Sequence, residues 1–355
     1  MKSIREIESR IAVNAENTPG DEQCLFRITQ PGSYFLPGNI RGEKDKYGIA
    51  IAASGVTLDL NGFDVVGVPG SLDGISAVVD DLRNIALMGG SVRDWAGDGV
   101  DLASASPTNC LVQDLRVSDN TGHGLVIASS STVRECVARA NAGSGIVAGA
   151  RCTVIDCTSS GNGVGAAAGH GIVVGSSSTV SDCTAVANGM GAGGGTGILA
   201  GQTSMVRDCV ADGNGSEKSA QRHGIEVSSG ATVAGCSVTR NKGDGIRASA
   251  QCLILSNKCV SNGDGGDGAG IHITGTRNRV EGNQCDASDR GIDVDADENI
   301  IIRNTCTNNA TNWDIVANNV FGPIIDRTAP ASLAVSGNSA AGSLGTSDAN
   351  ANFTY

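Results

Sequence analysis

The chain has 355 residues, 51 of them glycine and only 7 proline, and a formal net charge of −12. This acidic balance argues against a nucleic-acid surface, which needs clustered Lys and Arg. No apolar run approaches the ~20 residues that a membrane-spanning helix requires. The first eight residues lack the apolar core of a signal peptide, so we expect either a mature chain whose leader has been removed or a protein that is not exported by that route.

A repeat dominates the sequence. A glycine followed by an apolar residue recurs at intervals of 21 to 27 residues, and each step opens a run of three to five strand-forming residues. Turns rich in Gly, Asn, Ser and Asp separate these runs, and no helical pattern of ten residues lies between them. The steps are Gly48-Ile49, Gly74-Ile75, Gly99-Val100, Gly124-Leu125, Gly145-Ile146, Gly171-Ile172, Gly197-Ile198, Gly224-Ile225, Gly245-Ile246, Gly270-Ile271 and Gly291-Ile292.

Short strands with one period are typical of a solenoid in which each coil pairs with the next. The pattern predicts an all-β parallel β-helix of about eleven coils over residues 26–325. Residues 1–25 are expected to cap its N-terminal end, with a short amphipathic helix at 3–12, because a solenoid end exposes core and strand edges. Residues 326–355 are predicted to form an irregular tail, either a loose arm or a strand laid on its own or a neighbouring coil.

The twelve cysteines follow the repeat. Cys136, Cys157, Cys183, Cys209 and Cys236 hold one position in five repeats, and Asn257, Asn283 and Asn304 take over that position afterwards. A second row, Cys259, Cys285 and Cys306, lies two residues further on. No CxxC pair occurs, so we predict buried, mostly reduced thiols that fill the core; bridging or metal binding is the alternative.

Two segments resemble a known family. Ile28-Thr29-Gln30-Pro31-Gly32-Ser33-Tyr34-Phe35-Leu36 and Gly55-Val56-Thr57-Leu58-Asp59-Leu60-Asn61-Gly62-Phe63 resemble the entry coils of bacterial right-handed parallel β-helix repeat proteins of the pectate-lyase-like superfamily. The resemblance implies a right-handed coil. Members of that superfamily include polysaccharide lyases, hydrolases, epimerases, phage tailspikes and adhesins, so fold alone does not choose a function. No catalytic motif of a characterised member is present.

Residues that follow the apolar residue of each step are predicted to point outward in one column, because side chains alternate along a strand. In the middle coils this column is apolar, with Val126, Val147, Val173 and Leu199. A contiguous apolar column favours a covered surface, and we predict self-association, with a trimer suggested by the resemblance to fibrous β-helices. The alternatives are a covering tail or a modest surface patch.

The same column then becomes charged. Glu226, Arg247, His272 and Asp293 occupy four successive coils, and Asp295 also points outward on the last. Adjacent rungs lie ~5 Å apart, so a base, a cation and carboxylates would meet there. These five residues are the candidate catalytic site: β-elimination of a uronate needs a cation, a base and an acid, and hydrolysis needs paired carboxylates. A ladder of alternating charge that stabilises the sheet is the competing interpretation.

Four longer loops, at 161–169, 188–195, 214–222 and 262–269, are predicted to wall one side of this column. No cofactor motif is present; calcium is the one ion that the acidic end suggests, although neither Gly265–Ile271 nor Asp293–Asp297 completes a calcium motif. His123, His170 and His223 stand before the glycine of their repeats, ~10 Å apart where a coil intervenes, which favours turn hydrogen bonds over a shared metal.

The sequence therefore predicts an extracellular or cell-surface protein that acts on or binds a polysaccharide or cell-surface glycan, as a lyase, hydrolase or epimerase. A non-catalytic structural protein, an adhesin or a fibre component, is the alternative. Only two tryptophans, Trp95 and Trp313, are available to stack on sugar rings, which counts against tight binding.

Overall fold

The computed structural model describes residues 10–165, 167–216, 222–263, 268–326, 328 and 346–354. These residues form 39 strands and no helix, hence no helix able to span a membrane. The first thirteen are β1 (Ile11–Ala12), β2 (Cys24–Ile28), β3 (Gly32–Phe35), β4 (Ile40–Arg41), β5 (Tyr47–Ile51), β6 (Val56–Asp59), β7 (Asp64–Val66), β8 (Ile75–Ala77), β9 (Ala86–Arg93), β10 (Val100–Leu102), β11 (Leu111–Ser118), β12 (Leu125–Ile127) and β13 (Thr132–Arg134). The next thirteen are β14 (Val137–Arg139), β15 (Ile146–Ala148), β16 (Thr153–Ile155), β17 (Thr158–Ser160), β18 (Ile172–Val174), β19 (Thr179–Ser181), β20 (Thr184–Val186), β21 (Ile198–Ala200), β22 (Met205–Arg207), β23 (Val210–Asp212), β24 (Ile225–Val227), β25 (Thr232–Ala234) and β26 (Ser237–Thr239). The last are β27 (Ile246–Ala248), β28 (Leu253–Leu255), β29 (Lys258–Val260), β30 (Ala269–Ile273), β31 (Arg279–Glu281), β32 (Gln284–Asp286), β33 (Arg290–Val294), β34 (Ile300–Ile302), β35 (Thr305–Thr307), β36 (Thr311–Ile315), β37 (Val320–Phe321), β38 (Ile324–Asp326) and β39 (Asn352–Thr354).

The strands wind into about thirteen turns, each of which typically contributes one strand to a first sheet and two to a second. The first sheet has 13 parallel strands in the order β2-β5-β8-β10-β12-β15-β18-β21-β24-β27-β30-β33-β36. The second sheet has 26 strands in two rows, and the long strands β9 and β11 belong to both rows and join them. The predicted parallel β-helix is confirmed, but the count of eleven coils was too low.

The core is a set of apolar columns along the rod. The predicted column of Ile146, Ile172, Ile198 and Ile225 is confirmed: consecutive members are register partners and each is fully buried. Ile172, Ile198 and Ile225 each lie between two isoleucines, and Ile146 lies between Leu125 and Ile172, so one small cross-section is repeated down the rod. Burying one Ile or Val contributes about 1.5–3 kcal/mol.

Each turn has corners of one design, a residue in the left-handed conformation followed by a buried residue. At the corner before the first sheet, one residue in each of seven coils, the first being Asp119 and the last Ser261, has a φ of 52–63°. Each of these residues precedes an asparagine that is at most 1% exposed. In six of them, Oδ1 accepts hydrogen bonds from both the backbone N–H and the Nδ2 of the asparagine in the preceding coil. The first, Asn120, accepts only the backbone N–H of Trp95, because the preceding coil has no asparagine at this position. The asparagines are Asn120, Asn141, Asn162, Asn188, Asn214, Asn241 and Asn262.

This ladder explains the glycine of most repeats. A Cβ on Gly171 would lie 2.7 Å from Nδ2 of Asn188 and 2.5 Å from the carbonyl oxygen of Gly197. No side chain fits into that space, so the buried amide of one corner requires a glycine at the start of the first-sheet strand.

All twelve cysteines are buried, and none is in a disulfide. The predicted row from Cys136 to Cys236 lies at a corner within the second sheet, where Asn257, Asn283 and Asn304 continue it as a second amide ladder. The second row is also confirmed, because Cys259, Cys285 and Cys306 are register partners. Burial raises the pKa of the Cys152 and Cys252 thiols, which keeps them protonated and unreactive.

The two ends differ from the prediction. Ile11 and Ala12 form a strand that pairs with β3, so the predicted helix at 3–12 is wrong there, and residues 3–9 lie outside the described part of the chain. At the other end, β39 pairs with β35 and β38, which agrees with a tail that returns to its own coil. The division at residues 25 and 325 stays a prediction.

We predict that Asn162→Ala lowers the free energy of unfolding by roughly 2–4 kcal/mol. The substitution removes the partners of the Asn141 amide groups and of the Ala138 carbonyl oxygen, all inside the core. Chemical denaturation measures the loss. The control is Gln202→Ala at an exposed position, expected to stay within about 0.5 kcal/mol. Equal effects of the two substitutions would contradict a structural role for the ladder.

Candidate functional site

The outward column is a single line of register partners along the first sheet. It runs through Arg27, Ala50, Ser76, Asp101, Val126, Val147, Val173, Leu199, Glu226, Arg247, His272, Asp293 and Asp314. The predicted alignment of Glu226, Arg247, His272 and Asp293 is therefore present, on β24, β27, β30 and β33. The expectation of solvent exposure is wrong in the first coils, where Ala50, Ser76 and Asp101 are buried, and also at Asp293, which is 5% exposed.

His272 is the centre of the charged part. Its Nδ1 lies 2.9 Å from Oδ2 of Asp244, and its Nε2 lies 2.9 Å from Oδ2 of Asp295. Oδ2 of Asp293 is 3.9 Å from Nε2. An ionised carboxylate only accepts hydrogen bonds, so both ring nitrogens must donate and the ring is an imidazolium.

The electrostatics agree with this geometry. Burial alone would lower the pKa of His272, but the hydrogen bonds and charges of Asp244, Asp295 and Asp293 raise it to about 9. Burial alone would raise the pKa of Asp244, but the hydrogen bond and the positive charge of His272 hold it well below its usual range. At neutral pH, His272 is a cation and a proton donor, not a base.

Asp293 and Arg290 complete the C-terminal side. Nη1 of Arg290 is 3.2 Å from Oδ2 of Asp293, and its Nε is 3.1 Å from Oδ2 of Asp314. Burial raises the pKa of Asp293 despite the opposing charges of His272 and Arg290. The Asp293 carboxyl is thus buried and lies beside two cations.

His272, Asp293 and Asp295 could also hold a metal ion, because one ligand atom from each lies within 4.8 Å of the others. Calcium takes 6–8 oxygen ligands. Two carboxylates and an imidazole nitrogen already bonded to Asp295 do not fit that preference, so the arrangement does not support the calcium suggested by the sequence.

Glu226 and Arg247 occupy the two rungs on the N-terminal side. Both side chains are half-buried, and Oε2 of Glu226 accepts one long hydrogen bond of 3.4 Å from Thr196 Oγ1. Arg247 has no hydrogen bond or ion pair within the described part of the chain. An Arg that is half-exposed and beside an imidazolium is therefore available to an outside anion.

The histidines that precede the repeat glycines play the predicted structural role. Nδ1 of His123, His170 and His223 accepts a backbone N–H of the next coil, from Ser144, Thr196 and Asp244 respectively, at 2.9–3.1 Å. Burial lowers the pKa of His170, which favours this neutral, accepting form.

Sequence reasoning missed Asp244 and Arg290. Both stand directly before a repeat glycine, the position already marked by His123, His170 and His223, so that signal was available. The predicted walls are only partly described: residues 166, 217–221 and 264–267 lie outside the described part of the chain. Trp95 is fully buried, so it presents no ring to a ligand. The indole N–H of Trp313 donates a hydrogen bond to Thr354.

The raised pKa of His272 predicts a stability change at alkaline pH. A group whose pKa is higher in the folded state stabilises the fold below its unfolded pKa of ~6.5, and that contribution is lost as pH rises through about 9. Asp244 has a lowered pKa, so its contribution is lost only in acid. We expect the free energy of unfolding to fall by about 3 kcal/mol between pH 6.5 and 9.

His272→Gln is the matched variant for this measurement, since its neutral amide keeps a hydrogen bond without the titration. The difference between wild type and variant should shrink steadily from pH 6.5 to 9. A constant difference over this range would show that His272 does not carry the extra proton.

Solved structures of other proteins share this architecture. The A-module of the mannuronan C-5 epimerase AlgE4 of Azotobacter vinelandii superposes with a TM-score of 0.59 at 14% identity, covering 82% of this chain and 91% of that one. The A-module of the mannuronan C-5 epimerase AlgE6 of the same organism superposes with a TM-score of 0.53 at 14% identity, covering 82% of this chain and 89% of that one. A variant of the periplasmic alginate epimerase AlgG superposes with a TM-score of 0.50 at 10% identity, covering 86% of this chain and 78% of that one. At these identities the likeness shows the fold alone.

No curated protein matches the chain in sequence. The family model described as "Right handed beta helix region" matches residues 45–185, 82–232 and 151–284, which overlap and together run from the second coil to the eleventh. These matches span more than half of the chain, and they agree with the parallel ladders of both sheets. The chain belongs to the right-handed β-helix region family.

Proposed function

We propose that the chain binds an acidic polysaccharide along the outer face of the first sheet and modifies its uronate units. The observation that carries the proposal is the pair of adjacent cations, Arg247 and the His272 imidazolium, with carboxylates on both sides. Rungs ~5 Å apart place two cations where one sugar carboxylate could meet both.

The residues present suit proton removal next to that carboxylate. Arg247 and His272 would neutralise the uronate carboxylate, which makes the C5 proton more acidic. Glu226 would accept this proton, because its carboxylate has a single weak hydrogen bond. In β-elimination the electron pair expels the O4 leaving group, which takes a proton from His272. Epimerisation shares the first step, after which the His272 imidazolium gives a proton to the other face of C5.

Three of the superposable structures are mannuronan or alginate epimerases, which agrees with a polyuronate substrate. An extracellular or cell-surface location accompanies the proposal, since polysaccharides are large and external. The twelve buried thiols are compatible with it, because burial protects them from oxidation.

The test incubates the full chain with polyuronates and with neutral polysaccharides. Unsaturated products are followed by ultraviolet absorbance, inversion at C5 by proton NMR, and hydrolysis by reducing ends. We expect turnover of a polyuronate, and a loss of roughly 100-fold in kcat/KM for Arg247→Ala without a change in melting temperature. His272→Gln should also remove activity, but with a stability cost, because it leaves the buried charge of Asp244 without its cation.

The matched control is Arg139→Ala, an exposed Arg at the end of β14 on the second sheet. It should keep full activity. Polyuronate binding without turnover would contradict the catalytic part and leave a glycan-binding adhesin or fibre role. Unchanged activity in Arg247→Ala would indicate that the column is only a surface charge ladder.

We also propose self-association through the apolar part of the column, as a trimer. Val126, Val147, Val173 and Leu199 are consecutive register partners and are half-buried in the single chain. Completing the burial of four such side chains would offset part of the entropy of association. Light scattering should show a trimer at tens of micromolar and a monomer for Val147→Asp. A monomeric wild type would contradict the proposal.

A further inference from the structure

The residues that stand directly before the repeat glycines form a second row beside the outward column, which we call the pre-glycine row. In the charged part of the column, a pre-glycine residue contacts the column residue of the following coil in three cases. Each pair is complementary, a donor with an acceptor or a cation with an anion, so the pre-glycine row fixes the column side chains. The pairs are Thr196 with Glu226, Asp244 with His272, and Arg290 with Asp314, with 3.4, 2.9 and 3.1 Å between the bonded atoms.

Arg247 is the exception to this arrangement. The pre-glycine residue of the coil before it is His223, which is 6% exposed. Nδ1 of His223 accepts the backbone N–H of Asp244 at 3.1 Å, so the other ring nitrogen, Nε2, carries the proton. A guanidinium only donates hydrogen bonds, and a ring whose remaining nitrogen also donates offers it no acceptor. Arg247 accordingly has no partner among the residues that the structure describes.

We propose that His223 is a positioning residue that keeps Arg247 available to an outside anion. It occupies the place from which the pre-glycine row holds the other charged side chains, and it presents a donor there instead of an acceptor. His223 acts through Arg247 and needs no contact with the anion itself. The identification of this anion as a uronate carboxylate rests on the proposed function.

Asp244 shows what an aspartate does at the same position of the repeat. Its Oδ1 accepts the backbone N–H of Ala269 in the next coil at 2.9 Å, while its Oδ2 holds the ring of His272. An aspartate in place of His223 would accept the Asp244 N–H in the same way and direct its second oxygen to Arg247. The resulting ion pair would compete with any anion that approaches from outside.

The decisive variants are His223→Asp and His223→Asn, whose new side chains have nearly the same shape. Both can accept the Asp244 N–H through Oδ1, but only the aspartate offers an anionic acceptor to Arg247. Two successive aspartates fit this corner, because Asp73 and Asp98 hold the position in consecutive coils and Oδ1 of Asp73 accepts the Asp98 N–H at 2.7 Å. We therefore expect both variants to fold, which their melting temperatures will show.

The first measurement is the rate at which phenylglyoxal modifies Arg247 in the full chain, followed by peptide mass spectrometry, and it needs no substrate. We expect His223→Asp to slow this rate by roughly fivefold or more, because its carboxylate holds the guanidinium. His223→Asn should keep the wild-type rate. In the wild type, Arg247 should react several-fold faster than Arg290, which Asp293 and Asp314 hold, so the inference is tested even if a variant does not fold.

The second measurement is calorimetric titration of the full chain with a polyuronate oligomer. We expect roughly tenfold weaker binding by His223→Asp and wild-type binding by His223→Asn. His123→Asp is the matched control, since it adds the same charge at the same position of the repeat. Nδ1 of His123 also accepts a backbone N–H, from Ser144, but the column residue of its following coil is Val147, so this variant should bind as the wild type does.

Unchanged reactivity of Arg247 in His223→Asp would overturn the inference, as would slow reaction of Arg247 in the wild type. Equal slowing by His223→Asn would indicate that His223 only maintains the corner. Equal weakening of binding by His123→Asp would show that the added charge alone matters. If no polyuronate binds the wild type, the proposed function fails, whereas the reactivity of Arg247 still decides this inference.

Discussion

The geometry of the corners constrains everything else in this molecule. At each turn the backbone enters the left-handed region for one residue, and the next residue places its side chain inside the rod. Where that residue is asparagine, its amide satisfies backbone groups of the preceding coil and also donates to the asparagine side chain of the following coil. Asn162, for example, bonds the backbone of Asn141 and Ala138 and the Oδ1 of Asn188. The amide ladder sets the distance between corner and strand, and the glycine before each first-sheet strand follows from it. Extra residues are accommodated where a coil leaves an asparagine and has not yet reached the next glycine, which is where the four longer loops lie.

This constraint explains which features could be predicted. The glycine step, the inward isoleucine column and the cysteine rows are direct consequences of a repeated cross-section, so the spacing alone revealed them. The coil count was too low because the first and last coils lack the step: Leu25 stands opposite Gly48, and Asn312 stands opposite Gly291. The predicted helix near Ile11 failed for a related reason, since strand pairing with Tyr34 competes with a helical spacing of three apolar residues.

The site was predictable only as far as alternation along a strand reaches. Register placed Glu226, Arg247, His272 and Asp293 in one line, as the period indicated. Alternation does not say how a corner directs the residue before the glycine. For that reason Asp244, which turns the His272 ring into an imidazolium, was not foreseen, nor was the burial of Ser76 and Asp101 under the first coils.

A rod of this kind separates stability from surface chemistry. The inward columns and the corner ladders hold each coil, so an outward residue can change without a matching change in the next coil. One register line therefore contains an acidic recess near Ser76, an apolar stretch from Val126 to Leu199, and a charged stretch from Glu226 onward. His272 is an exception to this independence, because its ring reaches back to the buried Asp244 of the coil below and forward to Asp295 of the coil above. A cation held by both neighbouring coils keeps a fixed position, whereas Arg247 beside it has no partner among the residues that the structure describes. This contrast between a fixed and an available cation is the strongest physical reason to place chemistry at this end of the rod.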